Sequence, residues 1–355
     1  MKVLPSETER AIEALRSDAL EHGTRYIYER IGERLAPWGE AGRAHCRADL
    51  ELHLDFLLGA VAAGDSGPFV NYLAWLVELM PSDVVPGHSV ELSVDGLASV
   101  LQARLSAEHW AEVAPILAAG TQALVPGARA PASSLVDLLE ATSADSDVDS
   151  ATRQQLVSAL VAGDSAQAAG IISGVTRKCG YIRMAEGLVQ PVMSAIGRMW
   201  QRREISVAKE HLASAIIQKL LVREFVNAPF ADPVPRSVLL ACVAKNHHQL
   251  GLRILADAFE LKGWSVQFLG ADTPTGDLLQ QVEETRPNLV ALSVSLGRQI
   301  PVLKDVVARI RERLGPGRPR IIAGGPGLAG LGFLCARFGL DGCYPNVTSI
   351  PDIWP

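Results

Sequence analysis

The sequence predicts a multidomain protein of the α and α/β classes: an all-α N-terminal domain, a four-helix bundle and a five-stranded, doubly wound parallel sheet. Two observations predict this organisation. Up to about residue 227 the apolar residues recur at helical spacing and do not alternate as they would in strands. From residue 236 onward, short β-branched runs alternate with amphipathic stretches, which is typical of parallel strands joined by helices.

The composition predicts a folded, cytoplasmic protein. Of the 355 residues 48% are hydrophobic and 20% are charged, which excludes a disordered chain. No apolar stretch approaches the roughly 18 residues of a membrane helix, and the first residues are too polar for a signal peptide. The five cysteines are scattered and never form a CxxC pair, which argues against a disulfide framework or a thiolate zinc site and fits a reducing compartment.

The distribution of charge argues against nucleic acid as a partner. The chain carries −6, and residues 236–355 contribute +3 from 13 Lys/Arg and 10 Asp/Glu, which leaves −9 for the first 235 residues. A protein that grips DNA through its N-terminal half needs a basic stripe there. We therefore expect no direct nucleic-acid binding.

The N-terminal domain is expected to span residues 1–127. Helical density of Leu, Ala and Glu marks 47–63 and 106–123, and Pro81 and the Pro86-Gly87 pair punctuate the segment. Between these stretches, apolar residues follow one helix stripe at Phe69, Tyr72, Leu73, Leu76, Leu79 and Met80. Residues 128–149, rich in small and polar side chains, are the predicted linker.

The second segment, 150–227, is expected to form a four-helix bundle. The predicted helices are Asp149–Val161, Ser165–Lys178, Tyr181–Trp200 and Ser206–Val226, with Ser206 as the N-cap of the last one. The sequence APFADPVPR then breaks the chain before the α/β domain.

The third segment, 236–355, predicts a flavodoxin-like or Rossmann-like sheet. The predicted strands are SVLLACVA, SVQFLG, LVALSVSL, RIIAGG and Gly342–Tyr344, and the helices between them start at His248, Thr275, Gln299 and Leu328. Ligands of such sheets bind beyond the carboxyl ends of the strands. Three loops lie there: 245–251 after the first strand, 293–296 after the third and 324–327 after the fourth.

A histidine pair, His247 and His248, stands in the first loop at the expected start of a helix. The positive end of the helix dipole disfavours protonation of an imidazole there. It thereby maintains the neutral form that binds metal. The alternative interpretation is a solvated pair without a ligand.

The glycine-rich loop also has two interpretations. Residues 325–330 satisfy GxGxxG, follow a strand and are expected to open a helix. A dinucleotide fingerprint belongs at the first βα turn, however, with an acidic residue about 20 positions on. This loop follows the fourth strand, and Pro345 stands at the acidic position, so the dinucleotide interpretation is disfavoured.

Together the three loops resemble the cobalamin-binding domain of B12-dependent methyltransferases, mutases and photoreceptors. That family has an acidic-x-His-x-x-Gly loop after the first strand, Ser-x-Leu after the third and Gly-Gly after the fourth. Here His248 and Gly251 match the first motif, Ser293 matches the serine, and Gly324-Gly325 match the glycine pair.

The resemblance implies that His248 binds cobalt from below, while the detached dimethylbenzimidazole tail runs into a slot lined by Ser293 and the glycine pair. Two positions depart from the family. Asn246 replaces the carboxylate that usually orients the histidine, and Ser295 replaces the leucine of the serine motif. Loss of an orienting partner typically costs about 10- to 100-fold in metal affinity. If His248 is not the ligand, His247 is the next candidate.

In the bundle, Trp200 precedes Glu210 and His211 by 10 and 11 positions. The simple interpretation is a core tryptophan and a solvated Glu-His pair. The spacing also resembles the Trp-x9-Glu-His signature of adenosylcobalamin photoreceptors of the CarH type, which implies that Trp200 covers the adenosyl group and that Glu210 and His211 line its pocket. Those photoreceptors have a cobalt-capturing histidine after the tryptophan, where this chain has Gln201.

These resemblances imply a light sensor, not an enzyme, in which loss of the adenosyl group changes homo-oligomeric assembly or contact with a protein partner. The acidic helical domain before the sensor is similar to that of photocobilins, which implies biliverdin as a second chromophore. Partner-binding antirepressors with B12 domains are similar in architecture and stay open as an alternative. Two further alternatives stay open. One is a corrinoid carrier of methyl groups for methyltransferases, and the other is a flavodoxin-like binding module without a corrin.

Overall fold

The computed structural model describes residues 6–79, 89–125 and 148–351. It confirms the predicted fold class: N-terminal helices, a helical bundle and one parallel five-stranded sheet. Among the helices of this described part, none has the length and apolar surface needed to cross a membrane. Most of the predicted linker, and the prolines at 81 and 86, lie outside the described residues.

The N-terminal domain is entirely helical over its described residues. Its helices are α1 (Glu7–Ala14), α2 (Arg16–Leu35), α3 (Gly39–Ala63), α4 (Gly67–Leu79), α5 (Ser89–Arg104) and α6 (Ala107–Leu124). Helix α3 begins earlier than the predicted residue 47, and α6 matches its prediction within one residue at each end. Ser6 starts α1 with a reciprocal capping box to Glu9, and Ser106 caps α6.

The bundle follows its predicted boundaries closely. Its helices are α7 (Ser150–Ala162), α8 (Ser165–Cys179), α9 and α10 (Val207–Val226). Helix α9 consists of Tyr181–Met184 and Gln190–Gln201 with a π-helical turn, Ala185–Val189, between them. Ser206 caps α10 by accepting a hydrogen bond from the Lys209 amide, as predicted.

The sheet contains only parallel pairs, in the order β2-β1-β3-β4-β5. Its strands are β1 (Ser237–Cys242), β2 (Ser265–Gly270), β3 (Leu289–Ser293), β4 (Arg320–Gly324) and β5 (Gly342–Tyr344). All five lie where the sequence predicted them, but β1, β3 and β4 end two, three and one residues earlier than predicted. The helices α11 (Leu250–Leu261), α12 (Thr275–Thr285), α13 (Ile300–Leu314) and α14 (Leu334–Phe338) connect them. Strand β1 is completely buried beyond its first residue because both faces of the sheet are covered.

Two helix starts differ from the sequence prediction. The first helix of the α/β domain begins at Leu250, so the histidine pair lies in the loop before the helix and not in its first turn. The glycine-rich loop does not open a helix: a 3₁₀ turn at Pro326–Leu328 is followed by α14 only at Leu334. This removes a second requirement of the dinucleotide interpretation.

The bundle and the N-terminal domain cover the α/β domain through separate cores. Bundle residues share a hydrophobic core with α11 and one face of the sheet, where the Tyr181 hydroxyl donates to the buried Asp257 carboxylate. The end of α3 joins the core on the other face, and α3 contacts α13. There Lys304 pairs with Glu9, and both side chains are buried.

Candidate functional site

Asn246 is the link between the first and third loops. Its side chain is fully buried, its Nδ2 donates to the Ser293 carbonyl oxygen at 2.9 Å, and its Oδ1 accepts from the His248 amide at 3.1 Å. The amide thus holds the main chain at His248 and the end of β3 together. Asn246 contacts the backbone of His248, so it positions the loop that carries the imidazole.

Gln299 also connects the first and third loops. The sequence did not predict this role. Gln299 is fully buried, its Oε1 accepts from the amides of Ser295 and Leu296 at 2.8 and 3.0 Å, and its Nε2 donates to the Lys245 carbonyl oxygen at 2.9 Å. Ser295, which departs from the family motif, is therefore held through its backbone. Only the three-dimensional meeting of the loops reveals this role.

The imidazoles of His247 and His248 both lie at the exposed surface of the first loop. Burial of part of the ring lowers the pKa of His248, the charges of His247 and Arg298 lower it further, and Glu210 opposes them. The neutral imidazole is the form that can ligate a metal. The pKa of His248 is thus lowered, as expected, but by desolvation and neighbouring charge and not by a helix dipole within the first turn. The role of His248 as a ligand stays a prediction.

The three glycines of the motifs have different surroundings. A Cβ on Gly324 would lie 2.5 Å from the Tyr344 carbonyl oxygen, and one on Gly325 would collide with the Val294 carbonyl oxygen. Gly325 also has φ +110°, which favours glycine. Both positions therefore need glycine for the packing of the chain itself, before any ligand is considered. A Cβ on Gly251 would meet nothing within 4 Å, which leaves open space beside the first turn of α11.

Unpaired polar atoms gather at this edge of the sheet. Among the described residues, three buried side-chain polar atoms have no hydrogen-bond partner, and two of them, Thr273 Oγ1 and Arg298 Nε, belong to the loops after β2 and β3. Orphaned polar groups of this kind point to a ligand. A large polar cofactor therefore fits the loops that surround His248.

The bundle contributes a positioned carboxylate. Glu210 accepts hydrogen bonds from Ser214 Oγ at 2.8 Å and from His211 Nδ1 at 2.7 Å. Its effect on the pKa of His248 places the carboxylate within electrostatic reach of that ring. Trp200 is 37% exposed at the end of α9, and the His211 side chain is 74% exposed, so neither is a core residue.

The chain matches two family models, both described as B12 binding domains. One covers residues 236–344, the α/β domain, and the other covers residues 152–223, the bundle. The two matches follow each other along the chain, and the bundle and the α/β domain that they cover share a hydrophobic core.

Two curated relatives from Myxococcus xanthus are similar to this chain. The HTH-type transcriptional repressor CarH is 27% identical over 172 residues, 48% of this chain and 57% of the relative. The HTH-type transcriptional repressor CarA is 39% identical over 108 residues, 30% of this chain and 35% of the relative. The chain thus spans little more than half of CarH and about a third of CarA in these matches.

Among solved structures, the Methanosarcina barkeri monomethylamine corrinoid protein is 14% identical, with a TM-score of 0.47 over 57% of this chain and 95% of that chain. A cobalamin-binding protein from Desulfitobacterium hafniense DCB-2 is 21% identical, with a TM-score of 0.31 over 55% of this chain and 93% of that chain.

The names of the curated relatives bear on two predictions. Both relatives are named as transcriptional repressors, whereas the prediction for this chain was a sensor and not an enzyme. Both are of the HTH type, which stands against the expectation of no direct nucleic-acid binding, so that expectation stays a prediction. The matches thus show that two segments of this chain are similar to B12 binding domains, and that part of the chain is similar to the CarH and CarA repressors.

Proposed function

We propose that the protein is a light sensor that uses adenosylcobalamin, held by His248 below and by the bundle above. The observation that carries the proposal is the single hydrophobic core shared by the bundle and the α/β domain, which joins the bundle carrying the positioned Glu210 carboxylate to the domain carrying His248. Adenosylcobalamin supplies a cobalt–carbon bond that visible light breaks. The chain supplies the imidazole, the loop scaffold and a bundle that shares a hydrophobic core with the sheet.

His248 is the proposed lower ligand, and Asn246 holds the backbone that presents it. We expect His248→Ala to abolish imidazole ligation, seen as a changed visible spectrum and at least a 10-fold loss of cobalamin affinity. His247→Ala is the matched control, because its side chain has the same chemistry and exposure one residue away. If the two variants exchanged these effects, His247 would be the ligand.

Trp200 is the proposed cover of the adenosyl group. Its side chain is more than one-third exposed, so it has surface to offer a ligand. Truncation of a tryptophan that buries about 150 Å² costs at most about 4 kcal/mol. We expect Trp200→Ala to weaken adenosylcobalamin 10- to 100-fold and methylcobalamin less than threefold, with Trp38→Ala, an exposed tryptophan of the N-terminal domain, as the control. Equal weakening of both cobalamins would favour the methyl-carrier alternative.

The output proposed here is a change in assembly or in contact with a protein partner. A ligand shifts such an equilibrium only through its different affinities for the two arrangements. A few kcal/mol suffices for a change of orders of magnitude. Light-scattering mass in the dark and after green light tests this step, and an unchanged mass would remove homo-oligomeric assembly as the output.

Gln201 stands where photoreceptors of the CarH type have a histidine, so we expect an illuminated state without a second imidazole ligand unless His211 supplies it. The spectrum of illuminated His211→Ala distinguishes these cases, because a bis-imidazole spectrum that survives this substitution would contradict the expectation. Biliverdin stays a prediction of the photocobilin resemblance. The spectrum of the purified protein tests it, since bilin and cobalamin bands differ.

A further inference from the structure

Arg298 lies at the border between two domains, and its Nε has no hydrogen-bond partner among the residues that the structure describes. It lies in the 3₁₀ turn Gly297–Gln299, directly after the serine loop. Its Nε is shielded from solvent with no hydrogen-bond partner, and the guanidinium forms no ion pair with any residue that the structure describes. A shielded donor without an acceptor is costly, so the sequence retains here a group that needs an anion.

The N-terminal domain forms one wall of this position. Leu296 packs against the N-terminal core, and a Cβ added to Gly59 of α3 would lie 3.2 Å from the Arg298 Cα and even closer to the Gly297 carbonyl oxygen. A Cβ added to Gly297 would lie 2.7 Å from the Pro68 Cβ at the start of α4. The turn that carries Arg298 is thus wedged against the ends of α3 and α4.

The sheet loops form the other wall. The backbone of the same turn is fixed by Gln299 to the loop that carries His248. On the side of the N-terminal domain, the positive charge of Arg298 opposes the burial that raises the pKa of Tyr72. Lys245 of the first loop also reaches Asp55 of α3 at 3.5 Å.

We infer that Arg298 binds the phosphate of the cobalamin nucleotide tail, at a subsite whose outer wall is the N-terminal domain. The inference rests on the proposed binding of the tail beside Ser293, five residues before Arg298. The phosphodiester carries a formal negative charge, and a guanidinium matches phosphate oxygens with two parallel donors. Arg298 then couples occupancy of the tail slot to the N-terminal domain.

The test compares two ligands that differ only in the nucleotide tail. Adenosylcobalamin has the tail, whereas adenosylcobinamide has the same ring and adenosyl group without it. In dark titrations of the full chain, we expect Arg298→Gln to weaken adenosylcobalamin 10- to 100-fold and adenosylcobinamide less than threefold. Arg309→Gln, at an exposed arginine of α13 paired with Asp305, should change neither affinity.

The outcomes separate this inference from the proposed function. If the wild type binds neither ligand, both the proposed function and this inference are wrong. If Arg298→Gln weakens both ligands equally, or neither, Arg298 does not bind the phosphate although the cobalamin site stands. Preserved cobalamin affinity with loss of biliverdin binding would instead assign the guanidinium to a carboxylate of that chromophore.

A second readout tests the coupling. Hydrogen–deuterium exchange in residues 53–60 and 68–76 should slow on addition of adenosylcobalamin to the wild type and not on addition of adenosylcobinamide. In Arg298→Gln the slowing should disappear even at saturating cobalamin. Equal slowing with both ligands would show that the N-terminal domain does not respond to the tail.

Discussion

The N-terminal domain on the one hand, and the bundle with the α/β domain on the other, each bury a hydrogen-bonded pair of a tyrosine and a titratable group. The two pairs have opposite consequences for how stability depends on pH. In the first, the His53 Nδ1 lies 2.6 Å from the Tyr72 hydroxyl. In the second, the Tyr181 hydroxyl donates to the Asp257 carboxylate. Burial lowers the pKa of the base and raises that of the acid, so both groups favour the neutral form. The comparison teaches that the two regions should respond to pH in opposite directions.

His53 carries the largest expected effect. Burial lowers its pKa from 6.5 to about 4, so the unfolded chain binds a proton that the folded domain refuses. The contribution of His53 to the free energy of unfolding is therefore fully present above pH 6.5. It is lost as the pH falls toward 4, by at most about 3 kcal/mol. Urea unfolding of the wild type between pH 7.5 and 4.5, compared with His53→Gln, checks this.

The glutamine variant keeps a hydrogen-bonding side chain beside Tyr72 but does not titrate. Asp49, a neighbouring carboxyl whose pKa is raised by burial, is present in both proteins. Its contribution therefore cancels when the free energy of unfolding of one protein is subtracted from that of the other. A difference that is independent of pH would mean that the pKa of His53 is the same in the folded and the unfolded chain, which would contradict the effect of burial.

Asp257 carries the opposite effect. Burial raises its pKa from 3.8 to about 6, so the folded state keeps a proton that the unfolded state has lost. The contribution of Asp257 to the free energy of unfolding therefore falls as the pH rises from 4 to 6, by at most about 2–3 kcal/mol. Asp257→Asn should therefore be as stable as the wild type near pH 4 and more stable at pH 7. Glu312→Gln, at an exposed carboxylate of α13, is the control.

Gly59 tests whether the two regions act as one body. Its Cα lies against the backbone of Gly297, so a methyl group has no room, and overpacking of this kind typically costs about 1–3 kcal/mol. We expect Gly59→Ala to split thermal unfolding into two transitions by calorimetry. Gly170→Ala, in a helix where the added Cβ meets nothing within 4 Å, should instead stabilise by about 0.5–1 kcal/mol. A single unchanged transition in Gly59→Ala would argue against tight docking.

The sequence was sufficient where the determinants are local. The strand boundaries follow β-branched runs bounded by Gly and Pro, and the Ser206 cap follows from one residue and its position before a helix. The loops at the carboxyl edge followed from the alternation of strands and helices, because parallel strands bring their ends to one edge. The residues that resemble a known motif were therefore found together.

The sequence was insufficient where a role depends on contact between distant segments. Gln299 resembles any polar residue before a helix until its side chain is seen bonded to Lys245, 54 residues earlier. The glycine pair suggested an open slot, whereas Gly324 and Gly325 are needed for close packing against carbonyl groups of β5 and of the loop after β3. Arg298 became a candidate only through the absence of an acceptor around it. No periodic pattern encodes such contacts.

The buried pair of Glu9 and Lys304 constrains how the protein can be synthesised. The two residues are 295 positions apart, so the first helix emerges from the ribosome long before its partner. At about 5–20 residues per second, translation leaves the docking face of the N-terminal domain uncovered for roughly 15–60 seconds. During that interval the Gly59 surface and the Glu9 carboxylate face water or a chaperone. Docking is thus one of the last events in the biogenesis of the chain.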